Sequence, residues 1–555
     1  MRSLLEGITS TLRLAQQQEV QQQAGGNFRD TSTKCLPSAP QPLASVGVSR
    51  ESRDGESAVA SMDLLSGGLF NYSRFSMDSP PDFPFKMLMV TQNIGGINPI
   101  ADEVEGSGGE GADCACDGLS SGVQRKVMEF LSELRLLIFE YSLCEYTAYF
   151  KARCASDESL LQSSVGAVVD HGPPPLIDVI VVHLQEIGGK KHHREFIDYL
   201  SNVLLKFLPE AGWTSGLLME TNGDKDLYTA VGSVVFVSHR MCPISSILSF
   251  HHRTYVCVTD DPVTYGSSPA ILFHGKKFSG AGDSRKGFLL ISLRLGTVVV
   301  NFLNVHLYND TINKNASVSS PSPFEPRRQE ALLEALAECV VFVSPDDPLF
   351  IFGDFNTRLD ICNMLQYLKE VKHMDVALSS NDIRSPDSFW ELFEDPQYIS
   401  VIKPYDVEIQ RLIDVVAEQS GIELAEFVIR FPPTYLCQLK ANAELPQPMG
   451  SPMSFSEDNE IVEDLSGNVD NERISATLER ITSVPRRPYM RHRIPAWCDR
   501  VLWNPAALEL MTGRRTSCAA GADENNGNSS CVLRRYAYRS AAFNHTDHDG
   551  VTLLF

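Results

Sequence analysis

Two short segments, far apart in the chain, combine acids, an amide and arginines at spacings that could support hydrolysis of a phosphate ester. Asp354, Asn356 and Arg358 alternate along one segment that we expect to be extended, so their side chains can face one pocket. Asp499 and Arg500 follow a short apolar run much later. Aspartate can act as a base or a metal ligand, asparagine can orient an oxygen, and arginine can hold a phosphoryl group. Together the two segments predict metal-assisted attack of water on a phosphate ester.

Further candidates lie where apolar, strand-like runs begin or end. Glu186 follows one such run, Asn93 and His306 end others, and Asp547 with His548 precedes the last one. Singly, each has an ordinary explanation: Glu186 as a surface residue, Asn93 in a turn and His306 in a structural role. A carboxylate at the end of a buried strand is nevertheless well placed to bind a hard cation such as Mg²⁺ through oxygen. Their coincidence with the two segments predicts one shared site.

Basic residues cluster beside these positions rather than along one helix face. A charge run is usually a solvated surface, but repeated proximity to candidate acids predicts a cleft that binds a polyanion. The clusters are Lys190 with Lys191 and Arg194, Arg285 with Lys286, Arg327 with Arg328, Arg486 with Arg487, and Arg491 with Arg493.

The net charge of −22 over 555 residues excludes one class of partner and leaves another open. A protein that binds duplex nucleic acid usually presents a basic face, so we expect no nucleic-acid partner. Local arginines and lysines can still focus positive potential in a single cleft, which allows a small phosphorylated ligand.

The cysteines and the apolar runs predict the compartment. The chain has 13 cysteines, an odd number, without a CxxC pair, which favours reduced thiols and argues against a zinc site. No run approaches the ~18 apolar residues that a membrane-spanning helix needs. The first residues lack the apolar core of a secretory signal. We therefore expect a cytoplasmic protein, and we expect a monomer.

Strand-like and helix-like patterns are mixed along the chain, which predicts an α/β sandwich. We expect helices over residues 123–151 and 326–343. The predicted strands cover residues 85–90, 176–183, 231–237, 288–293, 298–305, 348–352 and 550–555.

The composition predicts one folded domain with an extension and inserts. Residues 1–84 are rich in Ser, Gln and Gly and are predicted to be a largely disordered N-terminal extension. Residues 85–555 would form a single catalytic domain. Polar or low-complexity inserts near 101–122, 438–486 and 513–529 would interrupt it.

The motifs resemble a known enzyme family. Residues 353–358 and 495–500 resemble the two signature motifs of the inositol polyphosphate 5-phosphatases, and residues 431–435 fall in the family's order. Residues 185–190, 228–233, 284–288 and 304–307 are similar to the type I subtype, which acts on soluble inositol 1,4,5-trisphosphate and 1,3,4,5-tetrakisphosphate. The resemblance implies the endonuclease/exonuclease/phosphatase fold, a four-layer α/β/β/α sandwich. It also implies a role in ending inositol-phosphate calcium signals.

The resemblance implies a magnesium site and a residue that activates water. Mg²⁺ would be held by Glu186, with Asn93 and Asp547 beside it. Asp354 would orient and deprotonate the attacking water, helped by Asn356.

The resemblance also implies how the phosphates are held. Asp499 would hydrogen-bond to His548, and His548 with His306 would contact the scissile 5-phosphate. Tyr435, Arg491 and Arg493 match positions that contact the neighbouring 4-phosphate. The other expected substrate contacts are Lys190, Arg358 and Arg500.

The chain departs from the family's pattern at several positions, and other functions remain as alternatives. Asp549 and Gly550 stand where the family usually has a basic residue and proline, so Asp549 would weaken polyanion binding modestly. The last residue, Phe555, is not part of a prenylated cysteine motif, so we do not expect that anchor. A phosphoinositide lipid 5-phosphatase at a membrane surface, a nuclease or sphingomyelinase on the same fold, and an inactive phosphoinositide-binding scaffold are the alternatives. The net charge and the Tyr435, Arg491 and Arg493 set argue against the nuclease and the sphingomyelinase.

Overall fold

The computed structural model describes twelve stretches of the chain, all within the compact unit Asp82–Phe555. These stretches are residues 85–97, 119–156, 177–188, 193–209, 212–220, 229–259, 271–281, 285–310, 321–378, 383–439, 487–512 and 536–555. The predicted extension, most of the three inserts and Lys190 lie outside them.

The strands of these stretches form two large sheets and one short ladder. The strands are β1 (Met87–Asn93), β2 (Val179–Gln185), β3 (Leu217–Glu220), β4 (Val231–Val237), β5 (Ser245–Ser249), β6 (Thr254–Cys257), β7 (His274–Lys277), β8 (Gly287–Leu295), β9 (Val298–His306), β10 (Leu349–Asp354), β11 (Ala377–Leu378), β12 (Ile383–Arg384), β13 (Ala425–Glu426), β14 (Asp499–Trp503), β15 (Ala537–Ala541) and β16 (Gly550–Leu554). The first sheet has the order β15-β16-β1-β2-β4-β3. The second has the order β13-β14-β10-β9-β8-β5-β6, with β7 also paired to β8, and β11 pairs with β12.

Some helices of the described stretches cover the outer faces of the two sheets, and others pack against the core between the sheets. They are α1 (Ser121–Ser156), α2 (His193–Leu204), α3 (Glu325–Cys339), α4 (Ile361–Val371), α5 (Asp387–Glu394), α6 (Ile399–Ile402), α7 (Glu408–Ser420) and α8 (Pro505–Thr512). Both predicted helices are present. However, α3 ends at Cys339, earlier than predicted, and α1 begins within the predicted 101–122 insert. The Ser120 hydroxyl accepts a hydrogen bond from the Val123 amide, so this polar stretch caps a helix.

Side chains of the first sheet alternate between two cores. Met87 and Met89 of β1 face the central core between the sheets, whereas Leu88 and Val90 face α1 and α2. This period of two is the ordinary pleat of a strand with both faces buried. The apolar runs that predicted β1, β2 and β4 arise because neither face meets water.

The second sheet repeats this arrangement on its own side. Phe350 and Phe352 of β10 enter the central core, and Ile351 packs into a separate core with residues of α3 and α7. Two sheets therefore pack face to face, with helices outside each of them. The predicted four-layer α/β/β/α sandwich is confirmed.

Strand register brings several polar residues to one end of this sandwich. Parallel β9 and β10 place His306 opposite Asp354, and antiparallel β14 places Asp499 on the other side of Asp354. The preceding residue, Gly353, lies so close to β9 that an added Cβ would be 2.0 Å from the Val305 carbonyl oxygen. A larger residue at position 353 would shift this register, so the glycine helps to position Asp354.

Candidate active site

Asp354 lies at the centre of a buried polar cluster between the two sheets. Its Oδ2 accepts a hydrogen bond from Asn93 Nδ2 at 3.2 Å, and its Oδ1 accepts one from the backbone amide of Asn356 at 2.9 Å. His306 Nε2 lies 3.4 Å from Oδ2. Burial would raise the pKa of Asp354, but the hydrogen bond with His306 and the positive potential of His548 hold it well below its usual range. The carboxylate is therefore ionised, as a general base requires.

Asn356 and Arg358 reach this cluster through a turn, not through an extended segment. Strand β10 ends at Asp354, and Asn356 has a left-handed backbone with φ of 54°. The predicted alternation along one strand is therefore wrong. Asn356 Nδ2 donates to the Leu307 carbonyl at 3.2 Å, and its Oδ1 accepts from Arg358 Nη2 at 3.1 Å. Asparagine tolerates this conformation better than most residues, which fits it to the position.

Asp499 and His548 form a hydrogen-bonded pair beside Asp354. His548 Nδ1 and Asp499 Oδ2 are 2.8 Å apart, and the Thr434 hydroxyl donates to the same oxygen at 2.8 Å. Burial opposes the charged imidazole, but the Asp499 carboxylate outweighs it and raises the pKa of His548 to about 9. The imidazole is thus cationic at neutral pH. Its orientation leaves Nε2 for another partner.

Two basic residues, Arg285 and Lys286, join the site. The sequence indicated them as a charge cluster and as part of a segment similar to the type I subtype, without a role for either. Lys286 is buried, and its Nζ contacts His306 Nε2. Burial lowers the pKa of Lys286 to about 8. Arg285 Nη2 lies 2.5 Å from Glu186 Oε2. Their position just before β8 was a usable signal, because the first residue of β8 pairs with His306.

Glu186 and Asn93 supply oxygen atoms that fit a hard cation. An added Cβ on Gly95 would lie 2.6 Å from Glu186 Oε2 and 3.2 Å from Asn93 Oδ1, so both oxygens converge on one small space. Carboxylate and amide oxygens are the ligands that Mg²⁺ and Ca²⁺ prefer. The half-buried Asp547 lies next to His548 in sequence. In the described stretches, no hydrogen bond links its carboxylate to Glu186 or Asn93.

A second group of potential ligand atoms overlaps the first. One atom each from Asp354, Asp499 and His548 lies within 4.8 Å of the others. Asp499 and His548 already bond to each other, and a nitrogen ligand suits Mg²⁺ poorly. The donor chemistry therefore favours the oxygens around Glu186 and Asn93 as the cation site.

The predicted 4-phosphate contacts divide into two near the cluster and one at its rim. Arg493 Nη1 donates to the Tyr435 hydroxyl at 2.9 Å, and the Tyr435 ring lies 4.4 Å from the His548 ring, centre to centre. Arg491 is exposed and bonds to Asp387 at 2.9 Å. Arg358 also contacts Tyr435, with its guanidinium 4.9 Å from the centre of the ring.

Arg500 does not lie where a substrate contact was expected. It is fully buried, and each of its nitrogens has a partner: Nη2 bonds to Asp406, Nη1 to Glu426, and Nε to the Trp497 carbonyl. Its charge is matched by two carboxylates and all three nitrogens are bonded inside the protein, so this guanidinium is committed to structural contacts. The prediction is corrected accordingly: Arg500 stabilises the packing of β14.

The expected effect of Asp549 also changes. Its carboxylate pairs with Arg487, which is itself 8% exposed. The charge that was expected to repel a polyanion is therefore offset inside the protein. Arg487, predicted as part of a polyanion-binding cluster, instead faces inward.

The arrangement as a whole suits hydrolysis of a phosphate monoester. An ionised, buried carboxylate lies beside a cationic histidine and two further basic groups, at one end of a rigid sandwich. Developing negative charge is stabilised most by donors that are already oriented and shielded from water.

Comparison with known proteins agrees with this geometry. The chain is 25% identical over 388 residues to a "Probable type I inositol 1,4,5-trisphosphate 5-phosphatase" of Caenorhabditis elegans, which covers 64% of this chain and 89% of that protein. It is 26% identical over 365 residues to the dog "Inositol polyphosphate-5-phosphatase A", which covers 60% of this chain and 76% of that protein. The chain resembles the inositol polyphosphate 5-phosphatases. The predicted resemblance and the predicted class, a phosphoric monoester hydrolase, are confirmed.

Other comparisons add little to this resemblance. No protein-family model matches the chain. Among solved structures, the inositol polyphosphate 5-phosphatase domain of a synaptojanin, in complex with inositol (1,4)-bisphosphate and a calcium ion, has a TM-score of 0.34 and 14% identity. That match covers 85% of this chain and 83% of the other. In the part of the chain that the structure describes, no helix has the length and apolarity to cross a membrane.

Proposed function

We propose that the chain hydrolyses the 5-phosphate of soluble inositol polyphosphates, namely inositol 1,4,5-trisphosphate and 1,3,4,5-tetrakisphosphate, with Mg²⁺. The observation that carries the proposal is the ionised Asp354 bonded to Asn93 and Asn356 and flanked by the Asp499–His548 pair. The name of the type I relative contains the first of these substrates, inositol 1,4,5-trisphosphate. Cleavage of this soluble messenger would end a calcium signal in the cytoplasm.

Asp354 is the proposed base for the attacking water. Its carboxylate is ionised and fixed by two hydrogen bonds, so it can accept a proton without first reorienting. Asn356 shares this turn and would orient the same water. Phosphate monoesters hydrolyse extremely slowly without a catalyst, so alignment and charge stabilisation must both contribute.

His548 and His306 are the proposed contacts with the scissile phosphate. Asp499 holds His548 by Nδ1, so that Nε2 can donate to a phosphoryl oxygen. Lys286 lies against His306 and adds a buried positive charge on the same side. These donors would stabilise the charge that builds up on the transferring group.

Glu186 and Asn93 are the proposed Mg²⁺ ligands, with Asp547 alongside. When bound, the cation would add positive charge next to the phosphate. Arg285 now pairs with Glu186. To bind the cation, the Glu186 carboxylate would have to release the Arg285 guanidinium or contact both at once.

Tyr435 and Arg493 are the proposed selectivity residues. Their mutual hydrogen bond places a phenol beside His548 with a guanidinium bonded to it, where the two could bind a second phosphate of the substrate. Arg491 lies farther out, against Asp387. Arg491 would contribute less to substrate binding unless its ion pair with Asp387 breaks.

The test is release of phosphate from inositol 1,4,5-trisphosphate in the presence of Mg²⁺, by the wild-type protein and by Asp354→Ala. A matched control is Asp346→Ala, an exposed aspartate just before the opposite end of β10. We expect release by the wild type and the control, and none above background by Asp354→Ala. Equal release by all three proteins would refute the assignment of the base. Release only from the membrane lipid bearing the same phosphates would replace the soluble substrate with the lipid, and no release from either would favour an inactive scaffold.

A further inference from the structure

The loop that carries His548 is held from behind by a buried arginine. Arg487 Nη1 donates to the Thr546 carbonyl, and Nη2 donates to the His548 carbonyl at 3.0 Å and to the Asp549 carboxylate. Three of the four residues from Thr546 to Asp549 are thus bonded to one planar side chain. A guanidinium suits this task because its donors are fixed in a rigid fork.

From these contacts we infer that Arg487, paired with Asp549, is a positioning residue that fixes the backbone of His548 in the active site. The inference deepens the proposed function, and its kinetic test rests on that function. Among the described residues, Arg487 hydrogen-bonds to none with an assigned substrate contact other than the His548 main chain. It therefore acts through His548 and not on the substrate.

The contacts of Arg487 separate this role from polyanion binding. Arg487 is 8% exposed, and two of its guanidinium nitrogens are bonded to the Thr546 and His548 carbonyls and to the Asp549 carboxylate. A buried cation is costly unless it is paired and hydrogen-bonded. Asp549 supplies the opposite charge, and two carbonyl oxygens supply the hydrogen bonds. The charge is thus paired without a ligand and two of the three guanidinium nitrogens are bonded, whereas among the described residues Nε has no hydrogen-bond partner.

The His548 carbonyl receives an unusual number of donors, which supports a positioning role. Besides Arg487, Gln92 Nε2 donates at 3.1 Å and the Thr546 hydroxyl at 2.7 Å. Gln92 belongs to β1 and Arg487 to the segment before β14. The main chain of His548 is therefore tied to β1 and to the segment that leads into β14. Small displacements of a catalytic group are expensive, since about 1 Å can cost about 100-fold in rate.

The experiment compares Arg487→Met, Arg487→Lys and Asp549→Asn with the wild-type chain. Arg240→Met is the matched control. Arg240 forms a two-point ion pair with Asp178, which precedes β2 at the end opposite to Glu186. Two readouts are collected on each protein: kcat and KM for inositol 1,4,5-trisphosphate, and hydrogen–deuterium exchange of peptides covering residues 543–549.

Arg487→Met should lower kcat by about 100-fold with KM unchanged and should speed exchange in residues 543–549. Arg487→Lys keeps the charge but not the fork, so we expect it to lie between Arg487→Met and the wild type. Asp549→Asn keeps an acceptor oxygen and should change kcat least. Arg240→Met should change neither readout, although it lowers the melting temperature.

Two results would overturn the inference. One is a raised KM with unchanged kcat in Arg487→Met, which would make Arg487 a substrate contact. The other is exchange in residues 543–549 that matches the control. If Arg487→Met does not fold, Arg487→Lys decides by the same criteria. A wild-type protein without phosphatase activity would refute the proposed function alone, because the exchange data still decide whether Arg487 holds the loop.

Discussion

Asp499 and Arg500 are neighbours in sequence and are both fully buried, yet they serve two different regions of the molecule. Asp499 faces the catalytic cluster, where it bonds to His548 and Thr434. Among the described residues, its second oxygen has no hydrogen-bond partner. Arg500 points to the other side of β14, where every nitrogen of its guanidinium is bonded. A buried polar atom without a partner costs free energy, so folds tend to keep such atoms where function requires them.

The contrast separates residues that perform chemistry from residues that hold the site in place. Around Asp354 the charged groups are close enough to shift each other's ionisation. Around Arg500 the opposite charges of Asp406 and Glu426 are matched in fixed contacts. Substitutions in the first region should change rates, and substitutions in the second should change stability.

Replacing the base should have the largest effect and would test the catalytic side of the comparison. Asp354→Asn keeps an oxygen that can accept from the Asn356 amide but removes the ionised carboxylate. We expect kcat to fall by about 1,000-fold, in the range for loss of a general base. Steady-state kinetics and a melting curve measure this. A kcat within ~10-fold of the wild-type value would mean that another group accepts the proton.

The Asp499–His548 pair should respond in both rate and pH dependence. Because the pKa of His548 is raised to about 9, its cation is present below that pH and is lost as the pH rises through it. Wild-type kcat should therefore fall on the alkaline side near this value. Asp499→Asn removes the carboxylate that raises the pKa, so the fall should move to lower pH and the maximal kcat should drop by about 100-fold. An unchanged alkaline limb would show that His548 does not set it.

Arg500→Met tests the structural side of the comparison. It leaves Asp406 and Glu426 buried without their shared cation, and breaking such a pair costs about 3–5 kcal/mol. Urea denaturation should show this loss, while kcat per folded molecule stays near the wild-type value. Arg500→Lys provides a milder variant if the methionine protein does not fold. A selective loss of kcat or a raised KM, with stability retained, would return Arg500 to the substrate site.

The two arginines near Tyr435 should give the smallest effects and the finest distinction. Arg493→Ala removes the donor to the Tyr435 hydroxyl and should raise KM about 10-fold with little change in kcat, as loss of a ground-state contact does. Arg491→Ala removes an exposed side chain already paired with Asp387 and should change KM less. Both are measured with substrates that carry a 4-phosphate. A larger effect of Arg491→Ala would mean that Arg491 leaves Asp387 to bind substrate.

The strongly apolar strands were predictable from sequence, whereas the polar edge strands were not. β4, β9 and β10 are buried on both faces over most of their length, so apolar residues dominate their sequences. β6 and β7 are short and partly exposed, with sequences Thr254–Cys257 and His274–Lys277. Their pairing with β5 and β8 decides that they are strands, and this is tertiary information.

The sequence predicted the site residues that belong to motifs. It was less informative about residues whose place in the site depends on burial and strand register. The motifs indicated Asp354, Asp499 and His548, and the structure brings these three together. Arg487 enters through contacts with residues distant in sequence, which no local pattern encodes. Lys286 had a signal in its position just before β8, but only the structure shows its contact with His306. The orientation of Arg500 could have been predicted from the sequence. Consecutive residues of a strand point to opposite faces, so Asp499 and Arg500 could not both face the substrate.

The most direct test of the central claim identifies the product, not only the release of phosphate. Inositol 1,4,5-trisphosphate is incubated with the purified chain and Mg²⁺, and the remaining phosphates are assigned by ³¹P NMR. The account predicts loss of the 5-phosphate alone, leaving the 1,4-bisphosphate, and no such product with Asp354→Asn. Loss of the 1- or 4-phosphate, or an unchanged trisphosphate, would contradict it.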